Sequence, residues 1–376
     1  MKKTLSFVLV AAMLLCMIPA FGIFADEVIE IDSAEKFMAI VDKLDGNYKL
    51  TKDITLDNQF LGLKADGGVD EGKFFKGTFD GNGKTITLKL TTKDGNRTGI
   101  FAQADGATIK NLKVVADINL TADTGSNGNS CSAVVGTAKN SAAGRTLTFE
   151  NVQVSGTIKS TDESLACGAL IGAIEGNGTI VMTNCKSTAT INSSARGKDN
   201  GGGIGGLIGS ARSGGIVIKI TDCAVNGTVK GTDFDGIYNG NQTHQDSHVG
   251  GFIGYLRDTS ATVEITGGSV AGSVTGAACA GGVIGAFPGA ITVTIDSTKI
   301  TATISATGVT GNEIGSAAAG ATVTINPYVE PETPDTPDTP DTPDAPETGD
   351  FMVVAVLLSV VALAGVAVVS KKRIAC

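Results

Sequence analysis

The sequence lacks several residue types on which common functional sites depend. Its 376 residues include no tryptophan, four tyrosines and two histidines. The absence of tryptophan argues against a strong sugar-stacking site, because large flat aromatic side chains supply much contact area at low entropic cost. Glycine is abundant, at 51 residues. Together with many Thr, Val and Ile residues, this composition favours short strands joined by tight turns over helices.

The cysteines exclude a complete disulfide framework. Seven are present, and five remain when Cys16 and Cys376 are removed with the terminal segments described below. An odd number cannot pair completely, and no C-x-x-C pair supports a zinc ribbon or a thioredoxin-like centre. We therefore predict that the remaining cysteines are small buried apolar residues.

The charge balance excludes another class of partner. The formal net charge of the chain is −9. Removing residues 1–25 and 349–376 takes away five cations and one anion, which leaves −13. Such a surface repels nucleic acid and anionic lipid, so we predict no nucleic-acid partner.

The N-terminus has the pattern of a secretory signal. Met1-Lys2-Lys3 precedes an apolar run from Leu5 to Ile18, and small residues lead to Ala25. A basic start, a short apolar core and a small-residue cleavage site are typical of a signal peptide. The sequence therefore predicts a signal peptide over residues 1–25, removed after Ala25.

The C-terminus has the pattern of a surface anchor. A ladder of proline, aspartate and threonine fills residues 327–348 and predicts an extended linker. Twenty uncharged residues follow, from Phe351 to Ser370, and would span ~30 Å as a helix. Three cations end the pattern, as expected for a cytoplasmic tail. Residues 349–376 are therefore predicted to hold a transmembrane helix and a basic tail.

Between linker and apolar segment, Ala345-Pro346-Glu347-Thr348-Gly349 resembles the L-P-x-T-G sorting motif of Gram-positive surface proteins. The resemblance implies that a sortase recognises Pro346, Thr348 and Gly349, cleaves after Thr348 and joins it to peptidoglycan. The chain departs from the motif at Ala345, where the family usually has leucine, which leaves the sortase class open. The implied location is the cell surface, anchored to the wall. The alternative is a membrane anchor that is not cleaved.

The interior of the chain repeats itself between about residues 98 and 326. Units carry Gly-Gly-x-Ile-Gly, a strand such as Thr-Val-Thr-Ile, and an Asn-Gly-Thr-Val-like stretch. The glycines that close the first motif, at 136, 172, 209, 254, 285 and 315, are spaced by 36, 37, 45, 31 and 30 residues. One unit cannot bury its alternating apolar face alone, whereas stacked units can. We therefore predict an all-β fold, a right-handed parallel β-helix solenoid with about one coil per repeat; a β-sandwich is the rival.

The repeat resembles the GLUG-type repeat of bacterial surface proteins. Residues 48–56 and 75–86, the second with Phe79-Asp80-Gly81-Asn82-Gly83 near its centre, are similar to the opening coils of such proteins. The resemblance covers roughly residues 27–325 and implies a β-helical surface protein with an adhesin-like or glycan-associated role. Ahead of it, Asp32-Ser33-Ala34-Glu35 predicts a capping box, and Phe37, Ile40, Val41 and Leu44 predict a short helix that covers the open end of the solenoid. The predicted domains are a cap over 26–46 and the repeat domain over 47–326.

The repeat also assigns the cysteines to stacked positions. Cys131, Cys167 and Cys279 precede the glycine-rich strand of their units, and Cys185 and Cys223 follow Asn or Asp in the next strand. Equivalent positions of a solenoid stack above one another, so we predict internal ladders.

The longest spacing contains an insertion over residues 233–248, and it holds both histidines of the chain. Long loops on repeats tend to form the binding face, so we predict the ligand-binding residues there, namely Phe234, Tyr238, His244, Asp246 and His248. In an extended segment His244, Asp246 and His248 would share a face and could bind a metal. A polar loop without a ligand is the alternative, and the prediction includes neither a metal nor a cofactor.

Motifs of known enzymes are missing from the repeat. No Ser-His-Asp order, nucleophile elbow or phosphate loop occurs, and the pair of carboxylates that a glycosidase needs cannot be identified. We therefore predict a non-enzymatic, adhesin-like or ligand-presenting surface protein, with a host or neighbouring-cell glycan or matrix protein as partner. The alternatives are a structural spacer without a dedicated ligand and a polysaccharide-acting β-helix enzyme.

Overall fold

A computed structural model describes most of the chain between residues 27 and 330. The described ranges are 27–64, 69–91, 97–120, 130–140, 144–164, 166–195, 202–212, 214–238, 241–245, 247–257 and 260–330. The chain divides into two units, Met1–Val329 and Glu330–Cys376, and Glu330 alone of the second unit is described. The predicted signal peptide, the sortase residues Pro346, Thr348 and Gly349, and the predicted membrane segment lie outside the described residues. Within the described ranges, no helix is both long and apolar enough to cross a membrane.

Two long parallel sheets form most of the wall. Sheet A has ten strands: Val28–Ile31, Asn47–Leu50, Thr78–Asp80, Thr108–Lys110, Thr146–Glu150, Thr179–Thr183, Val217–Thr221, Thr262–Thr266, Thr292–Asp296 and Thr322–Asn326. Sheet B also has ten: Ile54–Asp57, Thr85–Leu90, Lys113–Leu120, Gln153–Ser164, Lys186–Ser187, Thr190–Ala195, Ala224–Thr232, Ser269–Gly276, Lys299–Ile300 and Thr303–Ala306.

Two shorter parallel sheets complete the wall. Sheet C has seven strands: Phe101–Ala104, Val135–Ala138, Ile171–Ile174, Ile208–Ala211, Ile253–Leu256, Ile284–Phe287 and Ile314–Ala317. Sheet D has six: Ser130–Ser132, Ala166–Gly168, Gly203–Gly205, His248–Gly250, Cys279–Gly281 and Val309–Gly311. One antiparallel hairpin, Phe234–Tyr238 with Asn241–Gln245, stands apart from the four sheets.

Each complete coil passes through the sheets in the order A, B, D, C before it returns to A. Neighbouring coils pair in register, so that Ile171, Ile208, Ile253 and Ile284 stack in sheet C. This confirms the predicted stacking of one repeat per coil in an all-β, solenoid-like arrangement of parallel sheets, as in a β-helix. Alternating strands bury one face; Lys113–Leu120 alternates exposed and buried residues along its whole length.

The recurring Gly-Gly-x-Ile-Gly motif builds the sharp corner between sheets D and C. A Cβ at Gly205 would lie 1.9 Å from the carbonyl oxygen of Ile208, and one at Gly254 would lie 2.2 Å from the backbone nitrogen of Ile204. The backbones of the two sheets therefore pack directly against one another, in a space that admits no side chain at these positions. This close approach explains why the closing glycine recurs from unit to unit, and why the Gly205 position holds glycine in every described coil of sheet D except the first, where it is Ser132.

A left-handed residue makes the turn between sheets A and B. Asn151, Asn184 and Asp222 have φ values of 53°, 53° and 51°, and each donates its backbone N–H to the next coil. Asparagine and aspartate tolerate this conformation better than other non-glycine residues. The turn therefore accounts for the Asn or Asp that precedes Cys185 and Cys223.

A short helix is present where the sequence predicts one. An α-helix covers Ala34–Met38 and a 3-10 helix covers Ala39–Asp42. The Ser33 side chain caps it by accepting the N–H of Lys36 at 3.3 Å. The predicted capping box over Asp32–Glu35 is wrong in detail, because Ser33 is the N-cap and the third helical residue is Lys36; Asp32 pairs with the Lys36 side chain at 2.9 Å.

The helix buries its apolar face as predicted. Phe37 and Ile40 are fully buried, and Val41 packs against the core at its edge. Leu44 also packs against the core, but it lies beyond the 3-10 helix, which ends at Asp42. The Phe37 ring lies 5.6 Å from the ring of Phe79 in sheet A and 5.6 Å from the ring of Phe101 in sheet C. The helix is thus joined to the core through both sheets.

Four of the described cysteines form two ladders, and Cys279 belongs to neither. All five in the described ranges are buried thiols, as predicted. Cys131 and Cys167 are register partners in sheet D, and the backbone N–H of Cys185 donates to Cys223 Sγ at 3.3 Å. The placement of Cys279 in the first ladder is wrong, because Cys279 pairs with His248 and belongs to the adjacent column. A shift of one residue turns a strand side chain to the opposite face.

Candidate functional site

The insertion at residues 233–248 folds as an antiparallel hairpin. Its register pairs Phe234 with Gln245, Asp235 with His244, and Tyr238 with Asn241. Of the predicted binding residues, Phe234 and Tyr238 therefore lie on one strand and His244 on the other, Asp246 lies outside the described residues, and His248 begins a strand of sheet D.

The base of the hairpin is fixed to the coils. Asp233 accepts the backbone N–H of Ser247 at 2.9 Å, which closes the two ends of the insertion. The hydroxyl of the buried Ser247 accepts the N–H of Ala277 from the next coil at 3.0 Å. The hairpin thus begins and ends at a defined position on the solenoid.

Next to this base, His248 lies between a tyrosine and a cysteine. Its ring stacks on that of Tyr255, with centroids 4.7 Å apart and planes at 13°. Its Nδ1 lies 2.9 Å from Cys279 Sγ. Tyr255 and Cys279 are 6% and 3% exposed and form an apolar cluster separate from the main core. The sequence pattern indicates His248 but not Cys279 as a site residue, because their proximity depends on the register between coils.

The chemistry of this group is that of a thiol beside a base. A neighbouring imidazole can withdraw the thiol proton and leave a nucleophilic thiolate. The sulfur also lies 3.4 Å from the carbonyl oxygen of Gly285, which can accept the same proton. The position of the proton follows from the tautomer of His248.

A second polar group, which the sequence analysis did not single out, follows the end of sheet C. The backbone N–H groups of Lys139, Glu175, Arg212 and Arg257 each donate to the preceding coil, at 2.7–2.9 Å. The four residues therefore stack at intervals of about 4.8 Å. We call them the charged column. The repeat pattern of the sequence does not reveal the charged column, because its members differ in charge from unit to unit.

Glu175 holds the column together. Its carboxylate pairs with Lys139 of the preceding coil, and its Oε1 lies 3.7 Å from Arg212 Nη1 of the next. Burial raises the pKa of Glu175, but the hydrogen bond and charge of Lys139, with the charges of Arg97 and Arg212, outweigh it and leave that pKa below its usual value.

Arg212 is a cation held in an unfavourable environment. Its side chain is 11% exposed. Burial lowers the pKa of Arg212 to about 10; Glu175 opposes this shift, and the like charges of Arg97 and Arg257 add to it. Its Nε and Nη2 atoms, like Nε of Arg97, are buried and have no hydrogen-bond partner among the described residues.

The arrangement of the described His, Cys, Asp and Glu side chains does not indicate a metal centre. In the described part of the chain, no group of three or more His, Cys, Asp or Glu side chains is placed to hold a metal ion. The face that His244, Asp246 and His248 would share is not formed as one strand, since His244 belongs to the hairpin and His248 to sheet D.

Comparison with known proteins gives a distant likeness. No family model matches the chain, and no curated protein matches it. Among solved structures, the chain is similar to a putative immunoglobulin A1 protease from Bacteroides ovatus, with 16% sequence identity and a TM-score of 0.43 over 79% of this chain and 77% of that chain. A likeness at this level says nothing about the activity of this chain.

Proposed function

We propose that this protein is a non-enzymatic, adhesin-like surface protein that presents a ligand-binding hairpin on a right-handed parallel β-helix. The observation that carries the proposal is the hairpin Phe234–Gln245. It interrupts a wall of parallel strands, and the Asp233–Ser247 hydrogen bond closes its base. An insertion that forms its own paired structure on a repeat scaffold is typical of a binding face.

The proposed location rests on the two ends of the sequence. Residues 1–25 direct export, and a sortase joins Thr348 to peptidoglycan after recognising Pro346 and Gly349. The apolar residues 351–370 hold the precursor in the membrane before cleavage. The linker 327–348 is the wall-spanning segment, and the helix Ala34–Met38 covers the N-terminal end of the β-helix.

The proposed partner is a glycan or matrix protein of a host or a neighbouring cell. The residues proposed to bind it are Phe234, Tyr238, His244, Asp246 and His248. The stacked pair of His248 and Tyr255 lies where the hairpin returns to the coil, so it fixes the orientation of the residues that follow the insertion.

Binding to glycan and matrix-protein arrays tests the proposal. The test protein carries residues 26–348, and the variant replaces residues 234–246 with two glycines. This short bridge suffices because Asp233 and Ser247 are already joined by a hydrogen bond of 2.9 Å. We expect a specific signal that the variant loses while it keeps its β-sheet circular dichroism and its melting temperature.

A second shortened connection serves as the matched control. Residues 121–129 connect the strands Lys113–Leu120 and Ser130–Ser132, and replacing them with two glycines should leave binding intact. Equal binding by the hairpin variant would refute the proposed site. No binding to any array by a folded protein would favour the structural-spacer alternative.

Anchoring is tested by cell fractionation. Pro346→Ala should move the protein from the peptidoglycan fraction to the membrane fraction, because the uncleaved apolar segment stays in the bilayer. Glu347→Ala is the control, since the resemblance assigns that position no fixed residue. Recovery of both variants and of the wild type in the membrane fraction would support an uncleaved membrane anchor instead.

A further inference from the structure

We propose that Arg212, supported by Arg97 and Arg257, forms a binding site for an oxyanion such as a carboxylate or a sulfate group. The site is at the end of sheet C and does not involve the hairpin. Three observations carry it: the unpaired donor edge of Arg212, the local excess of positive charge, and the geometry of Glu175.

The donor edge of Arg212 is preorganised for an oxyanion. The Nε and Nη2 atoms lie on the same edge of the planar guanidinium, so their N–H groups point side by side. Such a pair matches two oxygens of a carboxylate, sulfate or phosphate. Both atoms are buried without a hydrogen-bond partner among the described residues. Leaving buried charged donors unsatisfied is costly, and an oxyanion satisfies both at once.

The local excess of positive charge also favours the binding of an anion. Among the described residues, the charged column and Arg97 contribute four cations: Arg97, Lys139, Arg212 and Arg257. Glu175 within the column and Glu71, which pairs with Arg97, compensate two of them. Asp105, which follows sheet C on the coil before Lys139, pairs with Arg145, so these two residues add no net charge. Two positive charges therefore remain uncompensated among these residues, in a chain whose net charge is −9. Burial is the main cause of the lowered pKa of Arg212, and the like charges of Arg97 and Arg257 add to it.

Glu175 cannot supply the missing partner in this geometry. One of its oxygens pairs with Lys139. The other lies 3.7 Å from Nη1 of Arg212, which is an ion-pair distance but too long for a good hydrogen bond. The Nε–Nη2 edge is left to a second anion, and that anion would gain attraction from Arg257, which is exposed on the next coil.

Nuclear magnetic resonance of the arginine side chains tests the site directly. The chain has six arginines, so a sample of the full-length protein in detergent, labelled with ¹⁵N-arginine, gives few Nε–H signals. The titrants are sodium acetate and sodium sulfate, with sodium chloride at equal ionic strength as reference. We expect the Arg212 Nε–H signal to shift saturably with acetate, sulfate or both; the anion that acts identifies the group recognised.

Two conservative variants make the test specific. Arg212→Lys keeps the charge but removes the two-donor edge, and it should weaken anion affinity about tenfold or more. Arg145→Lys is the matched control, because Arg145 is 42% exposed and its Nη1 already lies 3.6 Å from Asp105; it should leave affinity unchanged. A thermal midpoint that rises with the anion in the wild type and in Arg145→Lys, but not in Arg212→Lys, would give the same answer.

The proposal fails under either of two results. The first is the absence of a saturable Arg212 shift with both anions beyond the chloride reference. The second is equal anion affinity in Arg212→Lys and the wild type, which would mean that general electrostatic attraction accounts for binding.

Discussion

Glu175 and Arg212 meet across two coils, with Oε1 of the carboxylate 3.7 Å from Nη1 of the guanidinium. The other oxygen of Glu175 pairs with Lys139, so a single carboxylate serves cations on both sides. Because each of these residues occupies the same position of its own coil, the contact exists only through the stacking of repeats. The column is therefore a property of the solenoid and not of any unit.

We predict that Glu175→Gln destabilises the protein in a pH-dependent manner. The pKa of Glu175 is lower in the folded state than its usual value, so its stabilising contribution is present above the unfolded pKa and is lost as the pH falls through the folded one. The difference in melting temperature between wild type and variant should be full at pH 7 and shrink as the pH falls below about 4. A difference that stays constant down to pH 2.5 would contradict the assignment.

We predict that Cys279 is the most reactive thiol of the folded protein. Its sulfur contacts the imidazole of His248. The hydrogen bond with Cys167, together with burial, raises the pKa of Cys131, and the hydrogen bond with Cys223, together with burial, raises that of Cys185. The hydrogen bond with Cys185 lowers the pKa of Cys223, but Cys223 lies in the main core without exposed surface, whereas Cys279 lies outside that core. Brief treatment with iodoacetamide and peptide mass spectrometry should show labelling at Cys279 first.

The His248→Gln variant isolates the role of the imidazole. It should slow the labelling of Cys279 roughly tenfold, because the base that withdraws the proton is gone. The labelling of the other cysteines after unfolding should not change and provides the control. An unchanged rate at Cys279 would mean that the imidazole does not activate the thiol.

We predict that alanine at Gly254 disrupts the corner between sheets D and C. The added Cβ would lie 2.2 Å from the nitrogen of Ile204, and backbone atoms cannot yield as a side chain can. The expected loss is about 1–3 kcal/mol or more, seen as a lower melting temperature by circular dichroism. Gly72→Ala is the control, since its Cβ would meet only the side chain of Asp70 at 3.6 Å. Equal melting temperatures would argue against the close packing described above.

We predict that Phe37→Ala loosens the N-terminal end of the solenoid. The ring is fully buried and touches Phe79 and Phe101, so its removal leaves a cavity that costs about 3–5 kcal/mol. Hydrogen exchange should accelerate in the strands Thr78–Asp80 and Phe101–Ala104 before it does so in later coils. Val28→Ala, at a side chain that is 54% exposed, should have little effect.

Much of the fold could be predicted because the residue pattern within each repeat indicates its local structure. The alternation in Thr-Val-Thr-Ile has the period of a strand, and the closing glycines recur once per coil, so the stacking of units followed. The helix with Phe37 and Ile40 buried was likewise evident from spacing. The N-cap was misplaced by one residue, since Asp32 and Ser33 are both good capping groups and the local sequence does not choose between them.

The candidate sites show the limit of that reasoning. The 233–248 insertion could be identified from the sequence, because a long spacing between repeats is visible without a structure. Its pairing as a hairpin and the closeness of His248 to Cys279 could not be predicted. Residues 31 positions apart become neighbours only when the register between two coils is known, and the one-residue error for Cys279 placed it in the wrong column.

Residues close together along the chain account for the strand pattern, the glycine positions and the predicted export and anchoring signals. The tertiary structure alone decided which side chains share a column, since contacts across coils depend on a register that small insertions alter. Arg212 illustrates the difference. In the sequence it is one of six scattered arginines; in the folded chain it lies between Glu175 and Arg257, buried, with one edge of its guanidinium unpaired among the described residues.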